Sequence, residues 1–270
     1  FVDRPLRFGL GVGAFLLAAG FCGLFDAAAL YQTRDFYGVL QVRRTREGDR
    51  DYYCLYHGAT LHGQQAAAGP DRGEPLAYYH RSGPIGQVFA AYNGAGPPRD
   101  LAVIGLGAGT LAAYARPGQN LVFYEIDPNM ADLCRRGDYF TYWTDAEVRG
   151  ARLRLVLGDA RLTLENDAQS RSDKYGILVV DAFSSDAIPT HLIDREALAL
   201  YLDRLADGGV IAFHISNLHI DLRPVLANLA ADAGLAGLCE DVGAGGVPGK
   251  AASTWVVLVR KRDDLKPLLD

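Results

Sequence analysis

The chain predicts an α/β architecture: a Rossmann-like, doubly wound sheet preceded by a small antiparallel β-domain and an apolar amino-terminal helix. Three observations carry that reading. After Pro98, short runs rich in Val, Ile and Leu alternate with helical stretches, the pattern of buried parallel strands joined by crossover helices. The first of those runs breaks into glycines, which marks a tight strand-to-helix turn. Each of the first four is followed by a polar cluster, on the sheet edge where this topology places ligands. With 270 residues, 49% of them hydrophobic, the chain can bury a substantial core. A net charge of −5 without a long basic stretch argues against nucleic acid as a partner, since phosphate binding needs clustered Lys and Arg.

Three regions follow in order. Residues 1–35 hold an apolar helix and linker: residues 8–25 are 18 positions without a charge, flanked by Arg4 and Arg7 and then Asp26. That length is just enough to cross a bilayer, so a transmembrane segment is expected. Gly9, Gly13, Gly20 and Gly23 would let it pack closely. A signal-type segment and a buried or dimer-forming helix are the alternatives, and a homodimer stays open with the last. The chain begins at Phe1, which suggests a piece of a longer membrane protein with its catalytic domain facing the cytoplasm. Arg4 and Arg7 favour a cytoplasmic amino end, whereas Arg34, Arg43, Arg44 and Arg46 pull the other way.

Residues 36–83 read as a small antiparallel β-domain, with strands near 37–42 and 51–57 around the polar turn at 45–50. Residues 84–270 form the third region. A helix starts at Pro84, where a first-turn Pro is tolerated. Strands are expected at 101–104, 121–125, 153–157, 176–180, 209–214 and 254–260. Helices are expected at 194–206, ending on Gly208-Gly209, and at 221–233. The glycine-rich stretch 243–249 reads as a mobile lid or a plain hairpin connection.

The glycine turn reads Leu101-Ala-Val-Ile-Gly-Leu-Gly-Ala-Gly-Thr110, with Gly105, Gly107 and Gly109. A dinucleotide fingerprint needs Gly-x-Gly-x-x-Gly, but position 110 is Thr. The Gly-x-Gly-x-Gly form is commoner where the ligand is adenosylmethionine or a relative, so the expected sheet is of the adenosylmethionine-dependent methyltransferase type. Twenty residues after Gly105 comes Glu125, then Asp127. A carboxylate there can accept both ribose hydroxyl protons. Asp127 precedes Pro128 and suits a helix cap, which makes Glu125 the stronger ribose candidate. Gly158-Asp159-Ala160 follows the third strand, where Asp159 either reaches the adenine amino group or caps the next helix.

The fourth cluster, Asp181-Ala-Phe-Ser-Ser-Asp-Ala-Ile-Pro189, resembles the Asp-Ser-Ser-Asp-Pro signature of spermidine synthases and related polyamine aminopropyltransferases, opened by two residues. The segment at 56–65 is similar to their Asp-Gly-x-x-Gln, Tyr79-His80 to their Tyr-His-Glu, and Glu125-Ile-Asp127 to their Glu-Ile-Asp. The likeness spans roughly residues 36–235 and is greatest to the bacterial branch in which such a domain follows membrane helices. The resemblance implies a decarboxylated adenosylmethionine or adenosylmethionine co-substrate and a small-molecule amine acceptor such as putrescine. By it, Glu125 and Asp127 with Gly105, Gly107 and Gly109 hold the nucleoside, Asp159 and Ala160 the base, and Gln64 the nucleoside end. Asp181 then faces the attacking amine, with Asp186 and Tyr79 lining its channel.

The chain departs from that family at three acidic positions. Ala108 replaces the Asp of Gly-Gly-Gly-Asp-Gly-Gly, Arg81 follows His80 where Glu is usual, and His57-Gly58 replaces Asp-Gly. Losing these weakens a pocket for cations. Ala108 would also leave space for the carboxylate of intact adenosylmethionine, which makes methyl transfer or lyase chemistry the alternative. A nucleoside sensor is the non-enzymatic one. Among His57, His62, His80, His191 and His214, the first two flank glycines and are the best candidates for a site. No His, Cys and carboxylate set has ligand spacing, so no metal is expected. Cys22, Cys54, Cys134 and Cys239 read as four buried thiols.

Overall fold

The computed structural model describes residues 4–21, 29–94, 96–170, 174–183, 188–217 and 220–269. At the amino end, α1 (Pro5–Phe21) is a 17-residue helix on which Leu6, Phe8, Leu10, Phe15 and Leu17 stand exposed. Among the described residues no helix is long and apolar enough to cross a membrane, so the span expected over 8–25 is not found there. Positions 22–25 of that span lie outside the described residues.

Four strands follow: β1 (Ala29–Arg34), β2 (Val39–Glu47), β3 (Arg50–His57) and β4 (Thr60–Ala66), paired antiparallel in chain order. β1 occupies positions read as linker. The turns Gly48-Asp49 and Gly58-Ala59 join β2 to β3 and β3 to β4, and each glycine takes the positive φ (59° and 60°) that a tight hairpin turn requires. β4 is hidden in the sequence because Gly63 and two glutamines break its apolar alternation. Leu40, Val42 and Leu55 pack into the same core as Leu101, Val103, Leu121 and Phe123 of the larger sheet. The two sheets therefore share one hydrophobic interior.

The larger unit begins with α2 (Pro84–Asn93), then alternates β5 (Leu101–Ile104), β6 (Asn120–Glu125), α3 (Pro128–Arg136), α4 (Tyr142–Val148), β7 (Arg152–Leu157), α5 (Ala160–Ser170) and β8 (Tyr175–Val180). It continues through α6 (Arg195–Arg204), β9 (Leu205–His214), α7 (Arg223–Asp232), β10 (Ala236–Val242), β11 (Ser253–Val259) and the short α8 (Lys266–Leu269). Seven strands order as β10-β11-β9-β8-β5-β6-β7; β5 to β9 pair parallel, and β11 alone of the seven runs opposite, antiparallel to β9 and β10. The path runs outward from β5 to β7, then returns to β8 on the other side of β5. That reversal opens a crevice beyond the carboxyl ends of β5 and β8, the place where open α/β sheets bind ligands.

Several local expectations change. α6 stops at Arg204, and Gly208-Gly209 lie inside β9 rather than capping a helix. The Arg260 guanidinium donates to the carbonyls of Leu202, Leu205 and Ala206, so those groups need no glycine cap. β10 escapes the sequence pattern because it is an edge strand with alternating half-buried and exposed residues, interrupted by Gly237, Glu240 and Asp241. Stretch 243–252 is its hairpin link to β11. Cys54 and Cys134 are buried as expected, but Cys239 is exposed on that edge strand; Cys22 lies outside the described residues.

Candidate active site

The turn after β5 and the end of β6 are tied by one side chain. Glu125 is buried, and its carboxylate accepts the Leu106 N–H at Oε2 (2.9 Å) and the Ile126 and Asp127 N–H groups at Oε1 (2.8 and 2.9 Å). Burial pushes its pKa up to about 7 against the opposing pull of these three donors. A carboxylate has about four acceptor positions, so roughly one remains for a ligand. Asp127 caps α3, accepting the Asn129 N–H at 2.7 Å. Asp159 takes the helix-start role, its Oδ1 accepting the Leu162 N–H at the start of α5, while its Oδ2 meets His191 Nε2 at 2.9 Å.

These groups line a first chamber together with Gly105, Gly107, Ala160, His57, His62, His191 and Asp181. Gly105 is obligatory there. Its φ is +94°, and a Cβ would come within 2.2 Å of the Asp181 carbonyl oxygen, so the ends of β5 and β8 close only on a glycine.

A second chamber of about 470 Å³ opens on the far side of Asp181, walled by Tyr78, Tyr79, His214, Ser216, Asp241 and Thr254. Asp181, His62, Gly107 and Phe183 line both chambers. The Asp181 side chain is only 7% exposed, and both its oxygens are engaged. The Tyr79 hydroxyl donates to Oδ2 at 2.5 Å, and His214 Nδ1 meets Oδ1 at 2.8 Å. Burial first, and then the Asp181 charge, hold the Tyr79 phenol well above its ordinary pKa, so it keeps its proton as a donor.

The Tyr78-Tyr79 segment is fixed from outside the chamber. Ala77 takes φ +57°, a left-handed conformation costly for a residue with a Cβ. Its N–H donates to the Gly249 carbonyl at 2.6 Å, and its carbonyl accepts the Ala251 N–H. Gln64 Nε2 donates to the same Gly249 carbonyl at 3.0 Å. The carboxyl end of the glycine-rich hairpin link is thus stitched to the segment that carries Tyr79.

Of the residues expected at a site, Gly105, Gly107, Glu125, Asp127, Asp159, Ala160 and Asp181 meet in the first chamber, and Tyr79 joins Asp181 in the second. Gly109 lines neither chamber; it starts a short 3-10 turn, Thr110–Tyr114, with φ +74°. Gln64 also lines neither, since the pleat of β4 turns it toward Cys54 and Gly249. Asp186 lies outside the described residues. Ala108 is buried with its methyl against Gly63 and opens no space in either chamber. His214, the last residue of β9, and Ser216, two positions beyond it, join the site although the sequence favours His57 and His62. Their signal was position: the fifth parallel strand also ends at the ligand-bearing edge.

The strand order and the glycine turn with its acidic partner define a Rossmann-like α/β fold of the methyltransferase type. No protein-family model matches the chain. In sequence it is 31% identical over 117 residues to the polyamine aminopropyltransferase of Vibrio vulnificus, which covers 42% of this chain and 36% of that protein. It is 26% identical over 189 residues to a probable polyamine aminopropyl transferase of Bifidobacterium longum, covering 69% of this chain and 37% of that one. The chain thus spans a little over a third of the length of these relatives. In structure it is similar to spermidine synthase from Thermotoga maritima, with a TM-score of 0.63 at 12% identity over 89% of this chain and 75% of that one.

Proposed function

We propose that the chain is a transferase that moves an aminopropyl group from decarboxylated adenosylmethionine to a small amine and releases methylthioadenosine. The observation that carries this reading is that one carboxylate, Asp181, stands where the two chambers meet. The first chamber takes the nucleoside: Glu125 receives a ribose hydroxyl, Asp159 the adenine amino group, and the glycine turn lets the backbone come close. The second takes the amine.

An ammonium group cannot attack until it loses a proton, and Asp181 is the group placed to attract the cation and accept that proton. The nitrogen lone pair then forms the N–C bond while the C–S pair leaves with sulfur as a neutral thioether. The departing sulfur needs no proton, so alignment of nitrogen, carbon and sulfur supplies much of the acceleration, an effect that reaches roughly 7–11 kcal/mol in favourable cases. Similarity in sequence to named aminopropyltransferases supports the same reading. The alternative of intact adenosylmethionine drew on space beside Ala108, and that methyl is packed against Gly63 instead.

The deciding experiment incubates the protein with adenosylmethionine and with its decarboxylated form, with and without putrescine. Methylthioadenosine that appears only with the decarboxylated donor and amine together is the expected result. Adenosylhomocysteine, or methylthioadenosine without any amine, would sink it.

A further inference from the structure

Building on the transfer reading above, we propose that His214 is the positioning residue that holds the Asp181 carboxylate in its reactive orientation, with Ser216 selecting the ring tautomer. Asp181 is gripped at both oxygens, by the Tyr79 hydroxyl on Oδ2 and by His214 Nδ1 on Oδ1 at 2.8 Å. A carboxylate held at two points cannot rotate, so its remaining lone pairs keep one direction toward the junction of the chambers.

The other ring nitrogen, Nε2, lies 2.8 Å from Ser216 Oγ, and that oxygen already accepts the Thr254 N–H at 2.9 Å. Ser216 has a single hydroxyl hydrogen to give. Given to Nε2, it leaves the ring hydrogen on Nδ1, facing the carboxylate. The ring itself is clamped: Trp255 stacks on it at 4.6 Å and 20°, Tyr78 lies at 4.8 Å, and Phe183 meets it edge-on at 5.2 Å. With 4% of its side chain exposed, His214 does not exchange this partner for water. The titratable groups in contact with it are Asp181, directly after β8, and Tyr78 and Tyr79 ahead of α2; from β11 the indole of Trp255 stacks on it.

A serine, an imidazole and a carboxylate in line resemble the machinery of nucleophilic hydrolases. Here the direction of use is reversed. Asp181 lines both chambers, while His214 and Ser216 line only the second, so the carboxylate is the end that meets the reacting nitrogen. Asp181 takes the ammonium proton, and His214 acts on the reaction through Asp181.

Two substitutions separate the hydrogen bond from the packing. His214→Phe keeps a ring on Trp255 and loses the N–H, whereas His214→Asn keeps an N–H near the place of Nδ1. In the full chain with decarboxylated donor and amine, His214→Phe should lower kcat about 100-fold, with amine KM and methylthioadenosine affinity shifted by less than about threefold. His214→Asn should return to within about tenfold of wild type. Equal losses in the two variants, or a His214→Phe enzyme within about threefold of wild type, would overturn the proposal. Nitrogen-15 spectra of histidine-labelled resting protein, with His214 assigned by difference from His214→Phe, give a readout free of activity. A hydrogen on Nδ1 is expected, and one on Nε2 alone overturns the assignment. If wild-type protein consumes no donor with any amine, the transfer reading fails, and the tautomer result still decides whether His214 is set as described.

Discussion

The two chambers meet at Asp181 yet are built from different material. The polar frame of the first chamber is set through backbone: a glycine turn, N–H groups gathered by Glu125, and the helix starts capped by Asp127 and Asp159. The second chamber is framed by side chains brought from far apart. Tyr79 and Asp181 are 102 positions from one another, and His214 is 33 beyond Asp181. A backbone-built site tolerates changed side chains but not changed spacing, and a side-chain-built site does the opposite. Substitutions in the two should therefore fail differently.

The largest expected effect is on the acceptor side. Asp181→Asn removes the proton acceptor while keeping its size, so turnover should fall roughly 1,000-fold. Nucleoside affinity, measured by calorimetry with methylthioadenosine, should stay within about threefold of wild type. Equal losses in both would merge the two chambers into one binding unit and break the contrast. A smaller but global effect is expected where they touch. Gly105→Ala places a Cβ against the Asp181 carbonyl at a positive φ, and should cost about 3 kcal/mol in denaturant unfolding. An unchanged midpoint would mean that the ends of β5 and β8 can separate freely.

The same contrast explains what could be read from the sequence. Gly105, Gly107, Glu125, Asp127 and Asp159 announce themselves through fixed spacing after apolar strands, because each acts on backbone within a few residues of itself. The pairing of Tyr79 with Asp181 could be anticipated only through family resemblance, since no local pattern links positions so distant. His214 was masked by five competing histidines, and only the register of β9 against β8 puts it beside Asp181. Gln64 and Gly109 were misplaced for a related reason. Their spacing fitted a motif, but the pleat of β4 and the 3-10 turn after Gly109 direct them elsewhere. Edge strands β1 and β10 were missed because half-exposed strands carry polar residues on one face.

A third prediction probes the nucleoside chamber through pH. Folded Glu125 titrates at about 7 against an ordinary 4.5, because burial opposes its charge. Between those values the folded chain holds a proton that the unfolded chain has released, so this residue's contribution to stability declines as pH rises from 4.5 to about 7. Nucleoside binding should run the other way. A ribose hydroxyl donates to the ionised form, so methylthioadenosine affinity should increase about tenfold from roughly pH 6 to 8. Asp181→Asn should leave that slope intact. A slope abolished by Asp181→Asn would move the controlling group to the acceptor side.

The smallest expected effect tests the link between chambers and scaffold. Gln64 lies outside both cavities, yet its amide and the Ala77 N–H converge on the Gly249 carbonyl. Gln64→Ala removes one of the two donors, which should cost about 1 kcal/mol of stability. Because Ala77 directly precedes Tyr78 and Tyr79, the loosened segment should raise amine KM a fewfold, about threefold, while nucleoside affinity holds. Steady-state kinetics with the amine varied at saturating donor would read this directly. A loss of nucleoside affinity instead would return Gln64 to the nucleoside end, and the acceptor wall would then owe its shape to Ala77 and Gly249 alone.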